Sequence, residues 1–132
     1  MDMPVPDPDI LARKAEISTR LRSVLPEDAV IIDEIELKAY ECDALSAYRC
    51  PPLCAVLPAT TDEVSAIMRI CHDMGVPVVP RGSGTSLAGG ALPTSDSVIL
   101  GVARMADVLE TNYSDRYIRV QSGRTNLSVT GA

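Results

Sequence analysis

The chain has no Phe and no Trp among its 132 residues, only four Tyr and a single His. A core without the large aromatics must be aliphatic, built from Val, Ile, Leu, Ala and Met. Hydrophobic residues still make up 46% of the sequence, enough at this length for one domain that buries roughly two-thirds of its unfolded surface. Basic residues are scarce: 12 Lys and Arg face 18 Asp and Glu, a net charge of −6. That excludes nucleic-acid binding through a basic face. No apolar run approaches the ~20 residues needed to span a bilayer. The N-terminus, MDMPVPDPD, is acidic and proline-rich, unlike a secretory signal. The composition therefore predicts a cytoplasmic globular protein. Four cysteines, at 42, 50, 54 and 71, and the lone His72 make a poor metal set. Cys50-x3-Cys54 lacks a second matching pair, so a zinc or iron–sulfur site is the lesser reading and reduced, structural cysteines the better one.

The periodicity predicts alternating helices and strands. Asp7-Pro8 caps a helix whose stripe is Ile10, Ile17, Leu21 and Val24, and Pro26 stops it. Ala29 to Asp33 reads as a short strand or extended turn, and Glu34 to Tyr48 as an ambiguous, partly helical stretch. Leu53 to Leu57 is a buried strand. Thr60 and Glu63 form a capping box for a helix carrying Val64, Ile67, Met68, Cys71 and Met74, which Gly75 closes. Cys71 on that apolar face packs as a small hydrophobe. Val76 to Val79 and Val98 to Val102 are further strands. Strand–helix–strand with apolar runs predicts a right-handed βαβ unit in a parallel sheet. Asp107–Asn112 and Tyr117–Gln121 then read as a hairpin across Tyr113-Ser-Asp-Arg116, and a last helix begins near Thr125 or Asn126.

Residues 77–90, PVVPRGSGTSLAGG, carry the functional signal. A β-rich run feeds Pro80 and Arg81. Gly82, Gly84, Gly89 and Gly90 follow, with the hydroxyls of Ser83, Thr85 and Ser86 between them. Glycine lets a backbone turn tightly and approach a ligand with no Cβ in the way. Successive exposed N–H groups then form an anion-binding concavity. The ligand that suits this chemistry is a phosphate or a pyrophosphate. A Walker A loop would need Gly-Lys-Ser/Thr, and no lysine is present. The Rossmann fingerprint fits only at its first two glycines, because Leu87 stands at the third. Ala88 to Ser97 reads as a loop, so the cradle is a wide connection between strands. A flexible surface loop is the plain alternative, and Arg81 either contacts phosphate or braces the loop.

VPVVPRGSGTSLAGGALP resembles the FAD loop of the vanillyl-alcohol-oxidase-type flavoproteins, the FAD-linked oxidases with a PCMH-type FAD-binding domain. Tyr40-Glu-Cys-Asp43-Ala-Leu-Ser-Ala-Tyr48-Arg49 with Pro51-Pro52 is similar to the glycolate oxidase D-subunit branch, close to FAD-dependent D-lactate dehydrogenases. Val56-Leu-Pro58, Thr61-Asp-Glu-Val64, Ile70-Cys71-His72, Val120-Gln121-Ser-Gly123 and Asn126-Leu127 agree, so the resemblance runs over residues 30–130. It implies an α+β fold: an N-terminal α/β subdomain with a short parallel sheet, then the start of an antiparallel second subdomain, incomplete. Residues 1–30 would be an N-terminal helical extension and 31–132 the first portion of the FAD-binding domain, without the cap that holds substrate.

The resemblance also implies chemistry. A 2-hydroxy acid, glycolate first and D-lactate or D-2-hydroxyglutarate as alternatives, would lose a proton and a hydride, the hydride passing to the flavin. Electrons would leave through an iron–sulfur partner subunit, which could hold the protein at the inner face of a membrane. The cofactor-binding set would be Pro80, Arg81, Gly82, Ser83, Gly84, Thr85, Ser86, Gly89 and Gly90, with Val56 to Pro58 flanking. No catalytic residue is assigned, and the chain alone is expected to oxidise no substrate. In relatives that tether FAD covalently from this loop, a histidine follows the second glycine. Thr85 stands there instead, which implies non-covalent binding. A non-catalytic remnant that holds no flavin is the remaining alternative.

Overall fold

The computed structural model describes residues 3–131. Asp7 caps the first helix, α1 (Pro8–Ala12), by accepting the Asp9 N–H at 2.8 Å, with proline at the first turn. The single N-terminal helix expected from the sequence is two: α1 ends at Arg13, and α2 (Lys14–Arg22) restarts after it. Arg13 leaves the helical basin, with φ −94° and ψ 12°. Its guanidinium donates twice to the Met74 carbonyl, at 3.2 Å each, at the end of a later helix. Carbonyls there have no helical partner and attract a cation.

β1 (Val30–Ile31) follows a 3-10 turn, and α3 (Glu34–Leu37) is capped by Asp33. The ambiguous stretch continues as a 3-10 turn, Lys38–Tyr40, and then an irregular segment to residue 53. β2 (Cys54–Val56) precedes α4 (Thr61–Met74). The capping box is present in full: Thr60 Oγ1 accepts the Glu63 N–H at 3.2 Å, and the Glu63 carboxylate accepts the N–H of Ala59 at 2.7 Å and of Thr60 at 3.4 Å. Gly75 ends the helix in the left-handed region. One stripe position is corrected. Met68 is half exposed, and Ile70 packs against the core in its place. Val64, Ile67, Cys71 and Met74 face the core as expected.

β3 (Val78–Arg81) begins two residues later than the sequence suggested, and β4 (Val98–Gly101) runs parallel to it. The sheet order is β1-β2-β4-β3. The expected βαβ unit is therefore not a pair of neighbours. β2 and β3 are parallel, but β4 enters between them and pairs with both. β4 is buried along its whole length, which fits its aliphatic sequence Val-Ile-Leu. β1 is the antiparallel edge. The main core joins Ile17 and Leu21 of α2 to Val56, Ile67, Cys71 and Val98. A second cluster, Leu37, Ala55 and Ile99, lies on the other face with Tyr40 packed against it. The core is aliphatic, as the composition required.

A separate hairpin, β5 (Val108–Asn112) and β6 (Tyr117–Val120), turns at Arg116 with φ 56°. α5 (Asn126–Thr130) closes the described chain and is capped by Thr125. Among the described residues no helix is long and apolar enough to cross a membrane.

Candidate functional site

β2, β3 and β4 point the same way, so their C-terminal ends share one edge of the sheet. Open α/β sheets bind ligands outside that edge. The glycine loop leaves it directly: Arg81 is the last residue of β3, and residues 82–97 lead back to the start of β4. The expected wide loop between two parallel strands is what the fold builds. The ladder closes beneath it with the Val102 N–H donating to the Arg81 carbonyl at 3.0 Å.

The loop is stiffened at few points. Ser86 Oγ accepts the Ala88 N–H at 3.2 Å, and the Leu92 N–H reaches the Gly89 carbonyl at 3.2 Å. Among the described residues, no acceptor takes the backbone N–H groups of Gly82, Ser83, Gly84, Thr85 and Ser86. Five consecutive donors are thus available at the surface, which is what an oxyanion-rich group such as a diphosphate requires. Gly84 has φ +71°, a conformation side chains rarely adopt. A Cβ there would also overlap the Arg81 guanidinium, 2.5 Å from Cζ.

The Arg81 side chain reaches the segment after α3, with its guanidinium lying against Gly84. Its Nη1 donates to the Cys42 carbonyl at 2.7 Å and its Nη2 to the Ala39 carbonyl at 3.5 Å, with Cζ 5.7 Å from the centre of the Tyr40 ring. Asp43, left outside the sequence-based site, is buried in that same segment. Its Oδ1 accepts the Leu45 N–H at 2.9 Å, while Oδ2 has no partner among the described residues. A Cβ on Gly89 would lie 3.8 Å from Leu45, so the segment flanks the loop at both ends. Arg49 and Tyr48 lie further along it, with Arg49 on Glu41 at 2.7 Å.

A groove of about 350 Å³ opens beside Gly82 and Ser83, lined also by Ala103 and by Gly123, Arg124 and Thr125. Gly123 brings the second half of the chain here: its N–H donates to the Met105 carbonyl at 2.8 Å, and a Cβ on it would overlap the Val102 carbonyl oxygen. Sequence reasoning did not assign residues 122–125 to the site. Their one signal is a glycine three residues past a strand, which cannot by itself say what the backbone approaches. Pro80 and Val56 to Pro58 lie at the same sheet edge. The largely apolar cavity of about 340 Å³ near Leu11, Leu37 and Pro52 shares no residue with the stretch 82–90. Among the described residues no group of three or more metal-ligating side chains exists. His72 is on α4.

A family model described as an FAD binding domain matches residues 52–130. Glycolate oxidase subunit GlcD of Escherichia coli (strain K12) is 42% identical over 132 residues, 100% of this chain and 26% of that protein. A probable mitochondrial D-lactate dehydrogenase of Danio rerio is 31% identical over 86% of this chain and 23% of its own length. Among solved structures, p-cresol methylhydroxylase with substrate bound aligns with a TM-score of 0.81 at 20% identity, over 96% of this chain and 25% of that one, a likeness of fold. The chain thus spans about a quarter of the length of the relatives it matches. A glycine loop with five free amides at the C-terminal edge of a parallel sheet, and a family match running through it, lead to one conclusion: the chain belongs to the FAD-binding domain family of the FAD-linked oxidases.

Proposed function

We propose that this chain is the part of a FAD-dependent 2-hydroxy-acid oxidoreductase that holds the flavin nucleotide, with glycolate as substrate and glyoxylate as product. The observation that carries the reading is the 42% identity to a glycolate oxidase subunit over the whole chain. When bound, the flavin accepts the hydride that the 2-hydroxy acid loses along with a proton. The chain's own task is to bind and orient. The N–H groups of Gly82 to Ser86 donate to the diphosphate, Gly89 and Gly90 keep side chains off its path, and Pro80 and Arg81 fix where the loop starts. Val56 to Pro58 flank the cofactor. Its groups fit the diphosphate because the five donors are unpartnered and two of the glycines hold positive φ.

Binding here is non-covalent. Thr85 stands after the second glycine, and a threonine hydroxyl is a poor nucleophile without an activating base. Electrons pass on to an iron–sulfur partner subunit, and the protein works in the cytoplasm, at most peripheral to a membrane. A second reading, D-lactate as substrate, is favoured by the Danio rerio relative.

Two measurements test this. FAD added to the purified chain gives a bound flavin spectrum, and acid precipitation releases all the yellow colour into the supernatant. Colour kept by the pellet and mapped to residues 77–90 defeats the non-covalent reading, and no binding defeats the flavin reading. A chimera carrying this chain in place of the matching 26% of the E. coli relative holds flavin and reduces a dye with glycolate. A chimera that folds but holds no flavin counts against the reading.

A further inference from the structure

We propose that Arg81 is a positioning residue which locks the glycine loop onto the segment 39–45, and that its charge is not a ligand for the bound anion. Three contacts point the same way: the Cys42 carbonyl at 2.7 Å, the Ala39 carbonyl at 3.5 Å, and the face of Tyr40 at 5.7 Å. A planar guanidinium presents its donors in a rigid fork while its face lies over a ring, a fixed geometry that a compact ammonium does not reproduce. Tyr40 in turn packs on the cluster of Leu37, Ala55 and Ile99, so the guanidinium is tied to the sheet's own core. The same group fills the space that a side chain at position 84 would need, so only glycine fits there while the guanidinium is in place. The donor set left to an anion is then the free amides, with the guanidinium's hydrogen bonds spent on the Cys42 and Ala39 carbonyls. Only the ligand arm of the test below rests on the proposed flavin function.

The test uses backbone ¹⁵N relaxation on the flavin-free chain. In the native protein the amides of Gly82 to Ser86 give order parameters near about 0.85, and in Arg81→Lys and Arg81→Gln they fall below about 0.6. Tyr40→Leu, which removes the ring face and keeps an apolar side chain, loosens the same amides, and combining it with Arg81→Gln adds no further loss. Slow exchange of the Ile99 amide in β4 stays unchanged and shows that the fold persists. Should Arg81→Gln not fold, the lysine and Tyr40→Leu variants decide alone. In the ligand arm, FAD affinity falls in step with loop order, for Lys as for Gln. The proposal is overturned if Arg81→Lys keeps both loop order and FAD affinity, or if Arg81→Gln weakens FAD while the loop stays ordered. If the native chain binds no FAD, the relaxation arm still decides the brace, and what has failed is the flavin reading.

Discussion

Cys54 and Cys71 face each other's elements across the core, one on β2 and one on α4, and burial pushes their thiols up to about 12 and about 11. Such thiols are small hydrophobes and not nucleophiles. At about pH 8 a thiol reagent should therefore label Cys42 and Cys50, which are partly exposed, and reach Cys54 and Cys71 only after denaturation. Labelling of all four in the native chain would contradict the packing. The pH dependence has a definite sign. Above pH 9 the unfolded chain sheds thiol protons that the folded chain retains, so stability falls as pH rises from the ordinary value of 9.0 toward 11. Below pH 9 both states keep their protons and no slope arises from these groups. A urea midpoint that drops more steeply with pH in the native chain than in Cys54→Ala/Cys71→Ala confirms the assignment. Gly123 makes a separate prediction. Its added Cβ would meet the Val102 and Met105 carbonyl oxygens, which are backbone and cannot swing aside. Gly123→Ala should cost about 1–3 kcal/mol in denaturant unfolding and shift the 122–125 segment away from the loop. A loss near zero would show that the two halves are not held so closely.

At the scale of elements, α4 shows what a sequence can and cannot specify. Its start is set by side chains within four residues of one another, so Thr60 and Glu63 could be read as a capping box in advance. Thr60→Ala should cost about 1 kcal/mol of stability by urea titration. A cost indistinguishable from zero would mean that Glu63, which also holds the Ala59 N–H, suffices. The break at Arg13 was not legible, because its cause is a carbonyl 61 residues away at Met74. The sheet order was not legible either. Local pattern marks β2, β3 and β4 as buried strands but says nothing about which inserts between the others. The glycine loop was legible as a wide connection between two parallel strands from its own residues. The direction of the Arg81 side chain depends on Ala39 and Cys42, and no local rule pairs those with it.

For the molecule as a whole, a net charge of −6 and an anionic ligand repel at long range. If backbone amides hold the diphosphate and Arg81 does not, no ion pair is lost on adding salt. FAD affinity should then hold steady or rise slightly as ionic strength increases from about 0.05 to about 0.5 M, because screening weakens the repulsion. A Kd that climbs steeply over that range would place a cation on the phosphate.

The central place of β4 has a consequence for how the chain acquires its shape. β2 and β3 do not touch as strands, and β3 has no other partner among the described residues. β2 has only the short edge strand β1, and β3 has none, until the strand encoded at residues 98–101 arrives. During synthesis, everything through the glycine loop must leave the ribosome before the keystone strand arrives. The loop's ends are brought together by that insertion, a non-local closure of the kind that slows folding. A chain ending after Ser97 should show helical content from α2 and α4 yet no cooperative unfolding transition. One extended by the next few residues should acquire it abruptly, so the closed loop and the fold come into being in a single event.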